Sequence, residues 1–305
     1  MNEHLKLKSI AITGANSYIG LNFINFCIDK SIKVKAFCRD PDSFSHNLKK
    51  NSYFEALPYS LILKSKIELN DVDAVIHLAH QRFTCSRIKI DADPNIEGAQ
   101  NLIAQSKINN IKNIIFLSSH LANKETLSQY GKSKFNCEKL FIKNGYTVVR
   151  TGIVFGGIES GFYKTLLISL KSHKFYPIIC ANAPVYPIHI KDLINNLIIL
   201  ATKKNKTKQL YCLGQKNPVK LVFFLTRLAI RYYNKQIVFI YLPGRIIYLL
   251  TYVVSYFSGF FNKIFERVSG VLSLTNLDTQ DSIDQNDKNK LNETNSFLKV
   301  ESKNN

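Results

Sequence analysis

No Cys-x-x-Cys pair occurs among the six cysteines, Cys27, Cys38, Cys85, Cys137, Cys180 and Cys212, and no cluster of them has metal-ligand spacing. That excludes zinc-finger and dithiol-redox readings. At 305 residues the chain is far larger than a disulfide-stapled miniprotein. Reduced, mostly buried thiols in a cytoplasmic protein are therefore expected, and no metal site. Zinc-finger, RNA-recognition and helix-turn-helix signatures are also missing. Nucleic acid is thus not expected as a partner, despite a net charge of +19 and a pI of about 9.6. The densest basic stretch, Lys203-Lys204-Asn205-Lys206-Thr207-Lys208, reads as a solvated loop, and the other lysines are scattered. A cationic surface of this kind attracts an anionic small molecule. Met1–Lys8 is polar, with no signal peptide before the first apolar run, which makes cytoplasm the expected compartment. No internal repeat is present.

What the chain has is a core's worth of apolar residues, 46%, arranged in alternating short runs and helical periods. Strands are expected at Ser9–Thr13, Ile32–Cys38, Asp73–Ala79, Asn113–Ser118 and Tyr146–Arg150, and helices at Leu21–Lys30, Asn95–Lys107 and Tyr130–Lys143. This alternation predicts an α/β fold with a doubly wound parallel sheet of the Rossmann type. Past Thr151 the pattern loosens. Tyr186–Ile190 reads as a strand entering a helix at Lys191–Thr202, and Val219–Tyr233 as another helix. The expected division is a dinucleotide-binding domain over 1–205, with 151–185 contributing to a substrate lobe, a smaller C-terminal lobe over 206–277, and a polar disordered tail over 278–305. The apolar stretch Arg245–Lys263 is marginal in length for a membrane span and carries a glycine and several hydroxyls. It reads first as a buried helix of a capping lobe and second as a helix that docks on a membrane surface.

Two segments carry chemistry. Thr13-Gly14-Ala15-Asn16-Ser17-Tyr18-Ile19-Gly20 lies between the first strand and the first helix, where backbone amides and the helix dipole receive a pyrophosphate. Gly14 permits a sharp turn, and Gly20 permits close packing of helix on strand. Tyr130-Gly131-Lys132-Ser133-Lys134 places a phenol and an ammonium four residues apart on one helix face. A free tyrosine titrates near about 10, and a neighbouring ammonium favours its phenolate. Tyr130 then serves as general acid or base on an alcohol or carbonyl.

Together with their neighbours these segments resemble the extended and atypical short-chain dehydrogenases/reductases of the NAD-dependent epimerase/dehydratase group. The glycine turn resembles that family's Thr-Gly-x-x-Gly-x-x-Gly fingerprint, with Ser17 at the middle glycine. His77-Leu78-Ala79-His80 resembles its His-Leu-Ala-Ala, and Asn95-x-x-Gly98-x-x-Asn101-Leu102 its Asn-x-x-Gly-Thr-x-Asn-Leu. Phe116-Leu117-Ser118-Ser119 resembles the Ser-Ser that ends its fifth strand. Tyr130-x-x-x-Lys134 matches its Tyr-x-x-x-Lys, Arg150-Thr151-Gly152-Ile153-Val154-Phe155-Gly156 its Arg-Pro-x-x-Val-Tyr-Gly, and His189-Ile190-Lys191-Asp192-Leu193 its His-Val-x-Asp-Leu. The matched segments cover about residues 9–200.

The resemblance implies catalysis by Ser119, Tyr130 and Lys134. Ser119 orients the substrate oxygen, and Ser118 is the fallback. It implies cofactor contacts at Gly14, Asn16, Ser17, Tyr18, Ile19, Gly20, Arg39, Leu78, Ala79, His80 and Lys134. Arg39 precedes Asp40 after the second strand, which tips the expected cofactor towards NADP over NAD. A carbinol or ketone of an anionic nucleotide sugar or related glycan precursor is the implied substrate, and a homodimer through the helices at 95–107 and 130–143 the implied assembly. The alternative reading is a non-catalytic dinucleotide binder, membrane-associated or a subunit of a larger assembly. The loop between Ser119 and Tyr130 is shorter than in the nucleotide-sugar epimerases, as in the atypical branch.

Overall fold

The computed structural model describes residues 7–62, 67–81, 93–203, 208–255, 259–275 and 292–298. Strand β1 (Ser9–Thr13) is buried at every position, and helix α1 (Tyr18–Asp29) follows it after one turn. Next come β2 (Lys33–Cys38), a short helix α2 (His46–Lys49), β3 (Phe54–Pro58) and β4 (Ala74–His77). Helix α3 (Pro94–Ile108) opens with Asp93 as its cap, whose carboxylate accepts the Asn95 amide, and with proline at its first position. β5 (Ile114–Ser119) leads to α4 (Gln129–Lys143), capped by the Ser128 hydroxyl, and then to β6 (Thr147–Thr151).

The second half interleaves small elements. These are β7 (Val154–Phe155), α5 (Gly161–Ser172), β8 (Phe175–Ile179), β9 (Pro184–Val185), β10 (Ile188–His189) and α6 (Ile190–Thr202). They continue with β11 (Leu210–Leu213), β12 (Val219–Lys220), α7 (Leu221–Tyr233), β13 (Val238–Leu242), α8 (Gly244–Val254), α9 (Gly259–Leu272) and α10 (Asn292–Leu298).

Seven strands form one sheet in the order β11-β6-β5-β4-β1-β2-β3, and every pairing in it is parallel. A parallel sheet needs cover on both faces, which is why its central strands β1, β4 and β5 are nearly continuous apolar runs rather than alternating ones. Phe23 and Ile24 of α1 pack with Leu193 and Leu197 of α6 on one side. Leu102 and Ile103 of α3 pack with Cys137 and Phe141 of α4 on the other. The strand order reverses between β1 and β4, so their C-terminal ends flank a crevice, the place where open α/β sheets bind ligands. A separate apolar cluster, built around Phe155, Leu167, Phe224 and Leu228, holds the second lobe together.

Four expectations need correction. The boundary at residue 205 separates β11 from the body, yet Leu210–Leu213 pairs with Val148–Thr151 and completes the main sheet. Val219 and Lys220, read as the start of a helix, instead pair with β9. Arg245–Lys263 is not one buried helix: it contains α8 and the start of α9, and none of α8's residues is buried. Within the terminus expected to be disordered, Asn292–Leu298 forms a helix. There Asp192 Oδ2 accepts from both the Thr294 amide and its hydroxyl, at 2.8 and 2.6 Å, and Thr294 is fully buried. The rest of that tail, the Lys204–Thr207 part of the basic loop and Cys85 lie outside the described residues; among the described residues no two cysteines are joined in a disulfide. Among the described residues no helix is long and apolar enough to cross a membrane.

Candidate active site

The β1–α1 turn is built by its glycines. Gly14 adopts φ +68°, and a Cβ there would lie 2.7 Å from the Ala79 nitrogen, so the turn sits directly on the end of β4. A Cβ on Gly20 would run into the Ala15 carbonyl, which holds the first turn of α1 close to β1. Ser17, at the place of the middle glycine, has a structural use: its hydroxyl accepts from the Gly20 amide at 3.2 Å and caps α1. The amides of Tyr18 and Ile19, in the same first turn, have no protein partner among the described residues. Helix geometry directs such amides out of the N-terminus, where they suit a diphosphate.

The other turn residues divide by role. Asn16 is exposed. Tyr18 is only in part a lining residue. Its hydroxyl donates to the Gly156 carbonyl at 2.6 Å and its ring stacks on Tyr163 at 5.3 Å, tying the turn to the second lobe. Burial drives the Tyr18 phenol's pKa upward, so it stays a neutral donor. At the end of β2, Arg39 is exposed, whereas the Asp40 carboxylate accepts from the Asp42 amide. Leu78 and Ala79 are pinned across the crevice by Thr13, whose carbonyl accepts from the Leu78 amide and whose hydroxyl accepts from the Ala79 amide.

His77 points away from chemistry. It is fully buried, shares a 2.6 Å hydrogen bond between Nδ1 and Thr13 Oγ1, and packs on Phe116 and Phe141. Burial, with a smaller contribution from the Lys134 charge, lowers its pKa to about 3. His80 instead meets Tyr130 edge to face, with ring centroids 5.0 Å apart. The tyrosine is therefore placed at the end of β4, beside the residues that follow the glycine-turn contact.

Lys134 is 3% exposed. Its Nζ donates to the Leu117 carbonyl at 2.7 Å, and lies 4.5 Å from the Phe116 ring centroid and 6.0 Å from that of Tyr130. Of the two serines ending β5, Ser118 is buried, and its hydroxyl has no partner among the described residues. Ser119 is half-buried and accepts from the Leu121 amide at 3.2 Å. Their exposure favours Ser119 over Ser118 as the hydroxyl on the crevice.

Two supports fix α4. Arg150 holds the Glu138 carboxylate with two hydrogen bonds, 2.9 and 2.6 Å, tying α4 to β6. Ser133 donates to Asp93 at 2.5 Å, tying α4 to the start of α3. A third support escaped the sequence reading. Glu266 of α9 reaches the N-terminus of α4, accepting from the Ser128 hydroxyl at 3.1 Å and from the amides of Gln129 and Tyr130 at 3.2 and 3.4 Å. No local pattern foretells a contact between residues so far apart in the chain.

The comparisons bear on the fold that carries this arrangement. Over residues 10–152 the chain matches the profile described as NAD dependent epimerase/dehydratase family. N-acetyl-alpha-D-glucosaminyl-diphospho-ditrans,octacis-undecaprenol 4-epimerase of Escherichia coli O157:H7 is 29% identical over 124 residues, 34% of this chain and 38% of that protein. The match thus spans little more than a third of that relative.

Among solved structures, a nucleoside-diphosphate-sugar epimerase from Staphylococcus aureus superposes with a TM-score of 0.66 at 15% identity, covering 94% of this chain and 95% of that one. dTDP-glucose 4,6-dehydratase from Bacillus anthracis, in complex with NAD, gives 0.62 at 16% identity, over 77% and 84%. UDP-glucose 4-epimerase from Thermotoga maritima gives 0.59 at 20%, over 77% and 85%. At such identities the likeness is one of fold. Since the Staphylococcus structure is matched almost end to end, the likeness of fold extends beyond residue 152 into the second lobe.

Proposed function

We propose that this chain is an NAD(P)-dependent oxidoreductase or epimerase/dehydratase acting on a carbinol or ketone carbon of a nucleotide sugar or related glycan precursor, with Tyr130 as general acid/base. The observation that carries the reading is the convergence of Tyr130, buried Lys134 and His80 at the end of β4, against the residues that touch the glycine turn.

The first-turn amides of Tyr18 and Ile19, without a partner among the described residues, fit a diphosphate, with Gly14, Asn16, Ser17 and Gly20 shaping its bed and Leu78, Ala79 and His80 along the facing edge. Exposed Arg39 supports a 2′-phosphate, and hence NADP, because Asp40 is occupied with its own turn. Bound nicotinamide supplies the hydride acceptor and donor. Tyr130 takes or returns the hydroxyl proton, Lys134 stabilises its phenolate, and Ser119 donates to the substrate oxygen. The diphosphate-linked sugars named for the Escherichia and Thermotoga relatives support an anionic sugar substrate, and the net charge of +19 suits it.

The test is Tyr130→Phe, assayed with NADP(H) and NAD(H) against a panel of sugar nucleotides. Turnover should fall by about 10²–10⁴, while cofactor affinity holds. Unchanged turnover removes Tyr130 from the mechanism. A wild-type chain that binds the cofactor yet converts no member of the panel favours the non-catalytic reading.

A further inference from the structure

The chain's positive charge is unevenly placed. Residues 161–275 contain sixteen lysines and arginines but two acidic residues, Asp192 and Glu266. Asp192 is buried and holds Thr294, while Glu266 caps α4. The second lobe and its surroundings thus carry fourteen of the nineteen net charges, and both of their carboxylates are committed to internal contacts.

The same region exposes its apolar side chains. α8 and α9 pack as a helical hairpin, with Tyr248 and Tyr252 of α8 both against Phe265 of α9, at 5.2 and 5.6 Å. On α8, Ile246, Leu249, Leu250 and Val253 are 56, 61, 57 and 58% exposed. Their spacing of three, four and seven residues puts them on one stripe of the helix. In a globular protein such a stripe faces the core; here it faces out. Phe260, 65% exposed, extends the patch at the start of α9. Lys263 and Arg267, also exposed, follow it at three and seven residues on the same face of α9, and Arg245 flanks the stripe on α8. Single exposed apolar residues are ordinary, but a contiguous stripe of this kind marks an interaction surface.

We propose that the α8–α9 hairpin docks on an anionic membrane surface. An apolar stripe bordered by cations and without an exposed carboxylate complements acyl chains below a layer of anionic headgroups. A purely apolar protein partner would explain the stripe but not the charge around it. Seated this way, the hairpin lies at the interface without crossing it. Glu266, on another face of α9, contacts the Tyr130 amide, so α9 links the proposed docking hairpin to the start of α4. The docking stands whether or not the proposed reaction occurs, because it rests on a different surface.

The full chain should float with phosphatidylcholine vesicles containing phosphatidylglycerol, and much less with phosphatidylcholine alone. The triple variant Leu249→Asn/Leu250→Gln/Val253→Asn changes side chains already in water and so should keep the wild-type melting temperature. Its partition should fall about a hundredfold. Arg245→Ser/Lys263→Ser/Arg267→Ser should remove most of the preference for the anionic vesicles. The proposal is overturned if the wild-type chain stays with the soluble fraction in both vesicle types, or if the well-folded triple variant floats as well as wild type. It is overturned equally if light scattering shows a dimer that the triple variant dissociates, with no vesicle binding; the stripe is then an interface between two copies of this chain.

Discussion

Replacing Lys134 by methionine separates what this residue does for the fold from what it does for the site. The side chain is almost wholly withdrawn from water and donates to the Leu117 carbonyl at 2.7 Å. Losing a hydrogen bond from a charged donor costs about 1.5–3 kcal/mol. Replacing a buried charge by an apolar chain of similar length returns about 1–4 kcal/mol by relieving its desolvation. These nearly cancel, and Lys134→Met should unfold in urea within about 2 kcal/mol of wild type, with an unchanged m-value.

Its effect on chemistry is larger. The ammonium lies 6.0 Å from the Tyr130 ring centroid. At an effective dielectric constant of about 20, a unit charge at that distance stabilises a phenolate by about 3 kcal/mol, or about a hundredfold in the rate of a step that needs the phenolate. The urea transition and the turnover of the same preparation are the two assays. A variant destabilised by more than about 4 kcal/mol, or one that retains full turnover, would refute the assignment of Lys134 as an electrostatic partner of Tyr130.

Three further outcomes follow from neighbouring geometry. Ser17→Gly puts a glycine at the middle position of the turn and removes a hydroxyl cap, so stability should change by only a few tenths of a kcal/mol while NADP(H) titrations show tighter binding; weaker binding would mean that the Ser17 hydroxyl itself contacts the cofactor. Glu138→Ala should cost about 3 kcal/mol in urea unfolding, at the low end for a broken buried pair, because Arg150 keeps some access to solvent; a loss under 1 kcal/mol contradicts a structural role for the pair. Burial lowers the folded His77 pKa from 6.5 to about 3. The unfolded chain therefore binds the extra proton first as pH falls, and stability present above pH 6.5 is lost progressively down to about pH 3, by at most on the order of 5 kcal/mol. His77→Leu should flatten that part of the pH–stability curve, and an unaltered curve would assign the acid sensitivity to other groups.

The sequence alone determined most of the strand–helix alternation of the first 150 residues, β3 and α2 apart, and nominated the candidate site residues. Short-range signals specify them: apolar runs for buried parallel strands, a glycine turn at a strand–helix junction, and a phenol and an ammonium one helical turn apart. Gly14, Ser17, Gly20, Tyr130 and Lys134 can be read this way because each acts with neighbours a few residues distant, and the periods of strand and helix carry that information directly. Tertiary structure decided what depends on distant partners. Val148–Thr151 recruits Leu210–Leu213 into the sheet, Asp192 captures Thr294 across 102 residues, and Glu266 settles on the start of α4. It also left the α8 stripe outside: hydrophobic periodicity fixes which side chains share a face of a helix, and only the packing of the whole chain determines whether that face meets protein or water.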